Sequence, residues 1–153
     1  MPPKPRERAH KPALPSPMNW RPQTAEDLIG QAGLVARAQC RKAERLTAEA
    51  AATMKLLLYG PPGVGKTSVV ELVALQLAGS PLAIEDYNGR EVTVDVVRHW
   101  MTQLPYGSLF GAWSVKVVNE LDCCSKDAQN MLLTYLDRMR PGHAFLGTTT
   151  PTL

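Results

Sequence analysis

The residues best suited to do chemistry are the eight from Gly60 to Thr67, GPPGVGKT, which satisfy the pattern G-x-x-x-x-G-K-[ST]. Glycines in such a loop allow backbone conformations that a Cβ would forbid, so that successive N–H groups can point at one phosphate. Lys66 is expected to reach the β- and γ-phosphates, and the Thr67 hydroxyl to ligate Mg²⁺. The motif predicts an ATP site formed by Gly60, Pro61, Pro62, Gly63, Val64, Gly65, Lys66, Thr67 and Ser68.

The motif lies between a predicted strand and a predicted helix, which is the context it requires. Met54–Tyr59 is a short apolar run that stops at a glycine, as is typical of a buried parallel strand. Residues 66–78 have apolar side chains nearly all round, so a helix packed on several sides is predicted. The partial positive charge of its N-terminus would favour a phosphate. This context disfavours a chance match in a turn.

A second group of candidates follows a predicted strand at 114–118, and ligands of open α/β sheets bind at the carboxyl ends of strands. Hydrolysis needs one group that orients the attacking water and another that supports Mg²⁺. Glu120 is the candidate for polarising water. Asn119 occupies the position of the metal-supporting Asp, and its uncharged amide is expected to weaken Mg²⁺ binding. Asp122 is expected to support the metal or the fold, or equally to cap the next helix.

The rest of the chain alternates between predicted helices and strands. Further helices are predicted from Gly33 to about Ala51, from an N-cap at Thr93 to about Leu104, and over 125–139. Further strands are predicted at 82–87, 114–118 and 144–149, with a turn at Asn88-Gly89. This alternation predicts an α/β fold of three layers, α/β/α, around a parallel sheet with right-handed crossovers.

Composition limits the remaining possibilities. A length of 153 residues favours one domain, and 44% hydrophobic with 20% charged residues is ordinary for a globular protein. The net charge of +3 is that of the first 20 residues, where six prolines predict a disordered, basic tail over 1–18, followed by a nucleotide-binding domain over 19–153. The three cysteines have no disulfide or zinc spacing, and no apolar run suits a membrane span or signal peptide, so a cytoplasmic protein is expected.

Together these residues resemble the AAA+ ATPases of the clamp-loader type, such as replication factor C small subunits and the bacterial DNA polymerase III loader. The resemblance covers about residues 20–150. Gly60–Thr67 resembles the Walker A motif of the family, and Asn119–Asp122 its Walker B motif. Three further segments resemble parts of the family: residues 20–31 resemble its N-terminal box near the adenine, residues 125–132 resemble the helix after Walker B, and residues 145–150 resemble the sensor-1 strand.

The resemblance implies ATP and Mg²⁺ as cofactors, with Ile29 near the adenine, Thr67 and Asn119 at the metal, and Glu120 and Thr150 at the attacking water. It implies other AAA+ subunits in a hetero- or homo-oligomeric ring as partners, with DNA reached through the assembly and no membrane. Asn119 stands in place of the Walker B Asp, and Thr150 in place of the sensor-1 Asn. The chain stops at Leu153, before the arginine finger, the fifth strand and the helical lid of the family.

Three functions remain open from the sequence. One is an ATP-binding module of a clamp-loader-like replication assembly, in which hydrolysis is weak or absent. The second is a nucleotide-binding interaction subunit, or a truncated and degenerate ATPase, that does not hydrolyse. The third is a small P-loop kinase, for which neither an acceptor site nor a basic lid is visible. In the resembled fold the fifth strand flanks Met54–Tyr59, which would otherwise present an unpaired apolar edge.

Overall fold

A computed structural model describes residues 30–48, 52–106 and 113–151 of the chain. The predicted tail over 1–18 and most of the predicted N-terminal box, including Ile29, lie outside these ranges. No helix in the described part is both long and apolar enough to cross a membrane. The helices are α1 (Gly30–Thr47), α2 (Lys66–Ala78), α3 (Val94–Gln103) and α4 (Lys126–Arg138). The strands are β1 (Met54–Tyr59), β2 (Ile84–Asn88), β3 (Ser114–Asn119) and β4 (His143–Thr149).

The four strands form one parallel sheet in the order β1-β4-β3-β2, as predicted for an α/β fold. The carboxyl ends of all four strands therefore lie at the same end of the sheet, where the loops that follow β1, β2, β3 and β4 meet. β1 is an edge strand among the described residues, and its Leu57 and Tyr59 side chains are 53% and 71% exposed. The strand of the P-loop thus has a backbone partner on one side only in the described part of the chain.

The helices cover both faces of the sheet, which gives the predicted three layers. On the first face, α2 and α1 pack on inward-facing residues of the sheet such as Val117 and Leu146. Val69, Val70 and Val73 of α2 are at most 2% exposed, because this helix is buried on several sides. On the second face, α3 and α4 enclose an aromatic cluster in which Trp100 contacts Tyr87 and Tyr135, with ring centroids 5.1 and 5.6 Å apart.

Most predicted boundaries agree with the structure to within one or two residues. α1 differs most, since it runs from Gly30 to Thr47 rather than from Gly33 to about Ala51. β2 begins at Ile84 because Pro81–Ala83 form a 3₁₀ turn, capped by the Ser80 hydroxyl. The predicted cap at Thr93 is confirmed: its side chain accepts a hydrogen bond from the Val96 N–H at 3.3 Å.

An ion pair between a buried lysine and a half-buried glutamate lies beneath α3. Lys116 of β3 is 2% exposed, and its Nζ lies 2.8 Å from the Glu85 carboxylate and donates to the Gln103 amide oxygen at 3.0 Å. Burial by itself raises the pKa of Glu85, but the hydrogen bond and charge of Lys116 outweigh it, so that the pKa falls below its usual value. The pair joins β2 to β3 on the face opposite the P-loop helix.

Candidate nucleotide-binding site

The P-loop connects the carboxyl end of β1 to the first turn of α2. Gly63 and Gly65 adopt positive φ values of 82° and 90°, a region that residues with a Cβ rarely enter. A Cβ on Gly65 would also lie 3.3 Å from the Cβ of Ala32 in α1. The prediction that Gly60 needs a conformation closed to other residues was wrong. Its φ is not positive, and a Cβ there would meet its neighbours at an ordinary 3.7 Å. The loop conformation therefore requires glycine at 63 and 65 only.

The N-terminus of α2 has no side-chain cap. Gly65 precedes the helix and offers no capping oxygen, and a bond from the Val69 N–H to the Gly65 carbonyl, at 3.0 Å, closes the first turn. The N–H groups of Lys66, Thr67 and Ser68 consequently have no acceptor within the helix. Exposed N–H groups at the positive end of a helix dipole form a ready anion site.

Lys66 lies across the loop and joins the two sides of the site. Its Nζ donates to the main-chain carbonyls of Gly60 and Pro61, the latter at 3.2 Å, and to Thr150 Oγ1 at 3.1 Å. Thr150 directly follows β4, so the structure brings together two residues that are 84 positions apart. An ammonium group can exchange such neutral oxygens for those of a phosphate, with which its hydrogen bonds are stronger.

A cleft of about 510 Å³ opens between the P-loop and the start of α1. This volume lies within the range of small-ligand pockets. Its walls contain Gly60, Pro61, Gly63, Val64 and Lys66 of the loop, and Gln31, Ala32 and Val35 of α1. The α1 side is largely apolar and suits the flat face of a base, whereas the loop side offers N–H groups and an ammonium. Ile29, predicted near the adenine, lies outside the described residues, although Gln31 just after it lines the cleft.

Glu120 follows β3 in an unusual backbone conformation. Its φ is 56°, the only positive value for a residue other than glycine in the described ranges. Such a conformation costs about 1–3 kcal/mol and persists where its surroundings impose it. The loop after β2 is one such constraint, since a Cβ on Gly89 would lie 2.0 Å from the Glu120 carbonyl oxygen. Gly89, predicted only as part of a turn, is needed for this close approach.

Asn88 holds the Glu120 side chain. The Asn88 Oδ1 accepts from the Arg90 N–H at 3.0 Å in a capping box, which turns its Nδ2 toward Glu120. That Nδ2 donates to Glu120 Oε2 at 3.2 Å. Asn88 was not among the residues predicted for the site. The only sequence signal was its position at the carboxyl end of β2, where the loops of the sheet converge.

Asn119 is the middle member of a polar row across the sheet. Its Nδ2 donates to Asp86 Oδ1 of β2 at 3.1 Å, and its Oδ1 accepts from the Thr148 hydroxyl of β4 at 3.3 Å. Thr148 is 3% exposed and also accepts from the Glu120 N–H at 3.2 Å. Asp86 and Thr148 were not among the predicted site residues, because neither is close to Asn119 in sequence. The row ties the ends of β2, β3 and β4 together.

Asp122 serves the fold. Its Oδ1 accepts from the Thr149 hydroxyl at 3.3 Å and from the Thr150 N–H at 3.4 Å, which fixes the end of β4. The proposed capping role was wrong, because Ser125 caps α4 by accepting from the Ala128 N–H at 3.2 Å. Through this contact Asp122 also sets the position of Thr150, and hence of one acceptor for Lys66.

The residues at this end of the sheet fit Mg²⁺ held jointly with phosphate oxygens. No three His, Cys, Asp or Glu side chains in the described ranges form a group that could hold a metal ion by themselves. Mg²⁺ is commonly bound through one or two protein oxygens together with the phosphates of a nucleotide. The Thr67 hydroxyl at the start of α2 and the oxygens of the Asp86–Asn119 pair, on the same face of the sheet, are the groups that would hold it. Bound there, the ion would neutralise phosphate charge.

The family of the chain follows from comparison with known proteins. The family model described as ATPase family associated with various cellular activities (AAA) matches residues 56–152, more than half of the chain. That range contains Leu56–Tyr59 of β1, the P-loop, Glu120 and Thr150. The chain therefore belongs to the AAA family of ATPases, and the P-loop kinase alternative is set aside.

Within this family the chain is of the clamp-loader type. It is 37% identical to replication factor C subunit 3 of Oryza sativa subsp. japonica over 134 residues, covering 82% of this chain and 36% of that protein. It is 33% identical to replication factor C subunit 5 of Arabidopsis thaliana, covering 82% of this chain and 34% of the relative. The chain thus spans just over a third of the length of these curated relatives.

Solved structures confirm the fold. The Holliday junction branch migration motor RuvB of Thermotoga maritima superposes with a TM-score of 0.63 at 22% identity, covering 84% of this chain and 41% of RuvB. A DNA polymerase III gamma subunit-related protein of the same organism gives a TM-score of 0.60 at 14% identity, covering 73% of this chain and 39% of that one. At these identities the likeness concerns the fold alone.

Proposed function

We propose that this chain is an ATP-binding module, and that it acts within a clamp-loader-like assembly of AAA+ subunits. The observation that carries the proposal is the conjunction of three features at the P-loop: positive φ at Gly63 and Gly65, an uncapped N-terminus of α2, and the Lys66 ammonium across the loop. Main-chain N–H groups and one ammonium together favour a polyphosphate over other anions of similar size.

Binding of the triphosphate would replace the present partners of Lys66. The carbonyls of Gly60 and Pro61 and the Thr150 hydroxyl are neutral acceptors, whereas phosphate oxygens are anionic and form stronger hydrogen bonds with an ammonium. Thr67 would supply its hydroxyl to Mg²⁺, and the apolar wall of α1 would cover one face of the base. Ile29 is proposed to contact the adenine from the segment that precedes α1.

Hydrolysis by this chain alone is proposed to be weak. Glu120 is the residue proposed to polarise the attacking water, and Thr150, which stands in place of the sensor-1 Asn, is the residue proposed to help position that water. An arginine supplied by a neighbouring subunit typically adds about 10³–10⁵ in rate to this chemistry. The alternative is a nucleotide-binding interaction subunit that does not hydrolyse, and the amide at Asn119 is the observation that favours it.

The partners and location follow from the relatives by analogy. The chain is similar to proteins named as replication factor C subunits, so other AAA+ subunits in a hetero- or homo-oligomeric ring are the proposed partners. DNA would then be reached through the assembly, in DNA replication. A cytoplasmic location remains part of this proposal.

Calorimetric titration with ATP and ADP, in the presence of Mg²⁺, tests the binding function. Lys66→Ala is expected to weaken binding by about ten- to a hundredfold, since hydrogen bonds to charged groups contribute about 1.5–3 kcal/mol. Lys42→Ala is the matched control, because Lys42 is an exposed lysine of α1 and does not line the cleft. It should bind as the unmodified protein does.

Two outcomes would contradict the proposal. One is an absence of binding heat with the unmodified, folded protein at millimolar nucleotide. The other is equal affinity in the Lys66→Ala and Lys42→Ala variants. Hydrolysis is assayed separately, by phosphate release with and without the assembled partner subunits, so that the absence of turnover does not obscure a positive binding result.

A further inference from the structure

The polar row Asp86–Asn119–Thr148 lies on the same face of the sheet as the P-loop helix. Ile84 of β2, Val117 of β3 and Leu146 of β4 all contact the core beneath α1 and α2. Side chains alternate between faces along a strand, so the residue two positions after each of these faces the same way. Asp86, Asn119 and Thr148 therefore point to the face on which α2 begins with Lys66 and Thr67.

The two neighbours of Asn119 fix the orientation of its amide. The Asp86 carboxylate can only accept a hydrogen bond, so it must face the Asn119 NH₂ group. The Asn119 carbonyl oxygen then faces the Thr148 hydroxyl, which donates to it. The opposite orientation would bring two acceptor oxygens within about 3 Å of each other, which is unfavourable.

Asp86 also explains why residue 119 is an amide. An Asp at 119 would place a second carboxylate against Asp86, at the 3.1 Å that now separates Asn119 Nδ2 from Asp86 Oδ1. Two carboxylates at that distance cannot both ionise without a large cost. The Asp86–Asn119 pair thus holds one carboxylate and one amide, and its carboxylate lies on β2 instead of β3.

We propose that Asp86 supplies the negative charge of the magnesium–nucleotide site and that Asn119 couples it to β3. The inference rests on the proposed nucleotide-binding function and gives that site its acidic group. Asp86 is an exposed residue, as a group that meets a ligand must be, and Asn119 holds its Oδ1 in place. The amide at 119 then marks a relocated carboxylate and not the loss of one.

The test compares four proteins: unmodified, Asp86→Asn, Asn119→Asp, and the double variant that exchanges the two residues. ADP affinity is measured with excess Mg²⁺ and with excess EDTA. Asp86→Asn should reduce the gain in affinity that Mg²⁺ gives by about ten- to a hundredfold, the usual effect of removing a group that supports a metal ligand. Binding in EDTA should change little, since the P-loop is intact.

The exchange variant separates a relocated charge from a merely structural contact. Asn119→Asp alone should lower the metal-free melting temperature by several degrees, through repulsion from Asp86. The double variant restores one amide and one carboxylate, so it should regain both the melting temperature and the Mg²⁺ dependence of binding. Asp137→Asn, at an exposed aspartate of α4, is the matched control and should alter neither.

The outcomes distinguish this inference from the function on which it rests. If Lys66→Ala weakens binding as expected while Asp86→Asn leaves the Mg²⁺ dependence unchanged, the proposed function stands and the role of Asp86 is overturned. An Asn119→Asp variant that melts and binds as the unmodified protein does would overturn it as well. If no variant and no unmodified protein binds nucleotide, the failure belongs to the proposed function.

Discussion

The two halves of the candidate site are built in different ways. The P-loop half consists mainly of backbone, contributed by one continuous segment between β1 and α2. The other half, which we call the carboxylate half, consists of Asp86, Asn88, Asn119, Glu120 and Thr148, and its side chains come from three strands. The first half has every residue type that its motif requires, whereas the second departs from the pattern of its family.

The difference indicates how each half responds to substitution. A backbone site depends on glycine at the positions of positive φ and tolerates most side-chain changes elsewhere. A side-chain site depends on pairs, so that a change at one position can be offset by a change at another. Asn119 alone suggests a damaged site, but Asn119 together with Asp86 forms a complete hydrogen-bonded pair. Substitutions can therefore break one half at a time.

The largest effect is expected for Gly65→Ala, which breaks the P-loop half. A residue with a Cβ at φ 90° is strained by about 1–2 kcal/mol, and the new methyl group would press on Ala32. The loop should shift and its N–H groups should no longer converge, so nucleotide affinity should fall by about a hundredfold if two phosphate hydrogen bonds are lost. Calorimetry measures the change in nucleotide affinity.

Gly79→Ala is the matched control for the glycine variants. Gly79 ends α2 with a φ of 69°, and a Cβ there would meet nothing within 4 Å. The substitution introduces the same kind of backbone strain far from any phosphate. The free energy of unfolding of the Gly79→Ala variant should fall by about 1 kcal/mol, and its nucleotide affinity should stay unchanged. Equal loss of affinity in both variants would mean that overall destabilisation, and not loop geometry, controls binding.

Gly89→Ala is expected to break the carboxylate half and leave the P-loop half intact. A Cβ at 89 would lie 2.0 Å from the Glu120 carbonyl oxygen, so the β2 loop and Glu120 must move apart. We expect a loss of about 1–3 kcal/mol in the free energy of unfolding, measured by urea titration. Nucleotide binding in EDTA should persist. Loss of that binding would show that the two halves are not independent.

The sequence predicted the two halves unequally, for a physical reason. Gly60–Thr67 is a local pattern, and its strand, loop and helix are adjacent in the chain, so α2 and β1 were predicted at their observed bounds. The carboxylate half depends on which strands are neighbours. Nothing local indicates that Asp86 meets Asn119 or that Asn88 meets Glu120, at separations of 33 and 32 residues.

Within the P-loop itself, the prediction for one glycine was wrong. Gly60 was expected to need a conformation closed to other residues, yet its backbone is ordinary and a Cβ would fit there. The capping role predicted for Asp122 was wrong as well. A capping role was considered because Asp is a common cap, whereas the structure uses Ser125 for that purpose and directs Asp122 to β4. Both outcomes depend on contacts that the motif pattern does not encode.

A smaller effect is expected at Asn88, where two substitutions separate its two roles. Asn88→Ser keeps a good capping oxygen for the Arg90 N–H but is too short to reach Glu120, whereas Asn88→Ala removes both contacts. The serine variant should be nearly as stable as the unmodified protein, and the alanine variant about 1 kcal/mol less stable.

If Asn88 positions Glu120, both Asn88 variants should lower turnover by the same factor in the assembled complex, while their nucleotide affinities stay unchanged. Phosphate release and calorimetry on the same samples provide the two measurements. Full turnover in the serine variant would contradict a role for the Asn88–Glu120 contact and assign Asn88 to the turn alone.

The smallest effect is expected far from both halves, at His143 near the amino end of β4. Burial lowers the pKa of His143 below its usual 6.5, and ring hydrogen bonds to the carbonyls of Leu104 and Tyr106 offset this only in part. Below about pH 6.5 the unfolded chain therefore binds a proton that the folded chain resists, so stability falls as the pH drops toward the folded pKa.

His143→Gln should flatten that part of the profile of unfolding free energy against pH. Nucleotide affinity should not follow the same curve, because His143 and the P-loop lie at opposite ends of the sheet, and a matching pH dependence of binding would mean that the site is coupled to the far end of the fold.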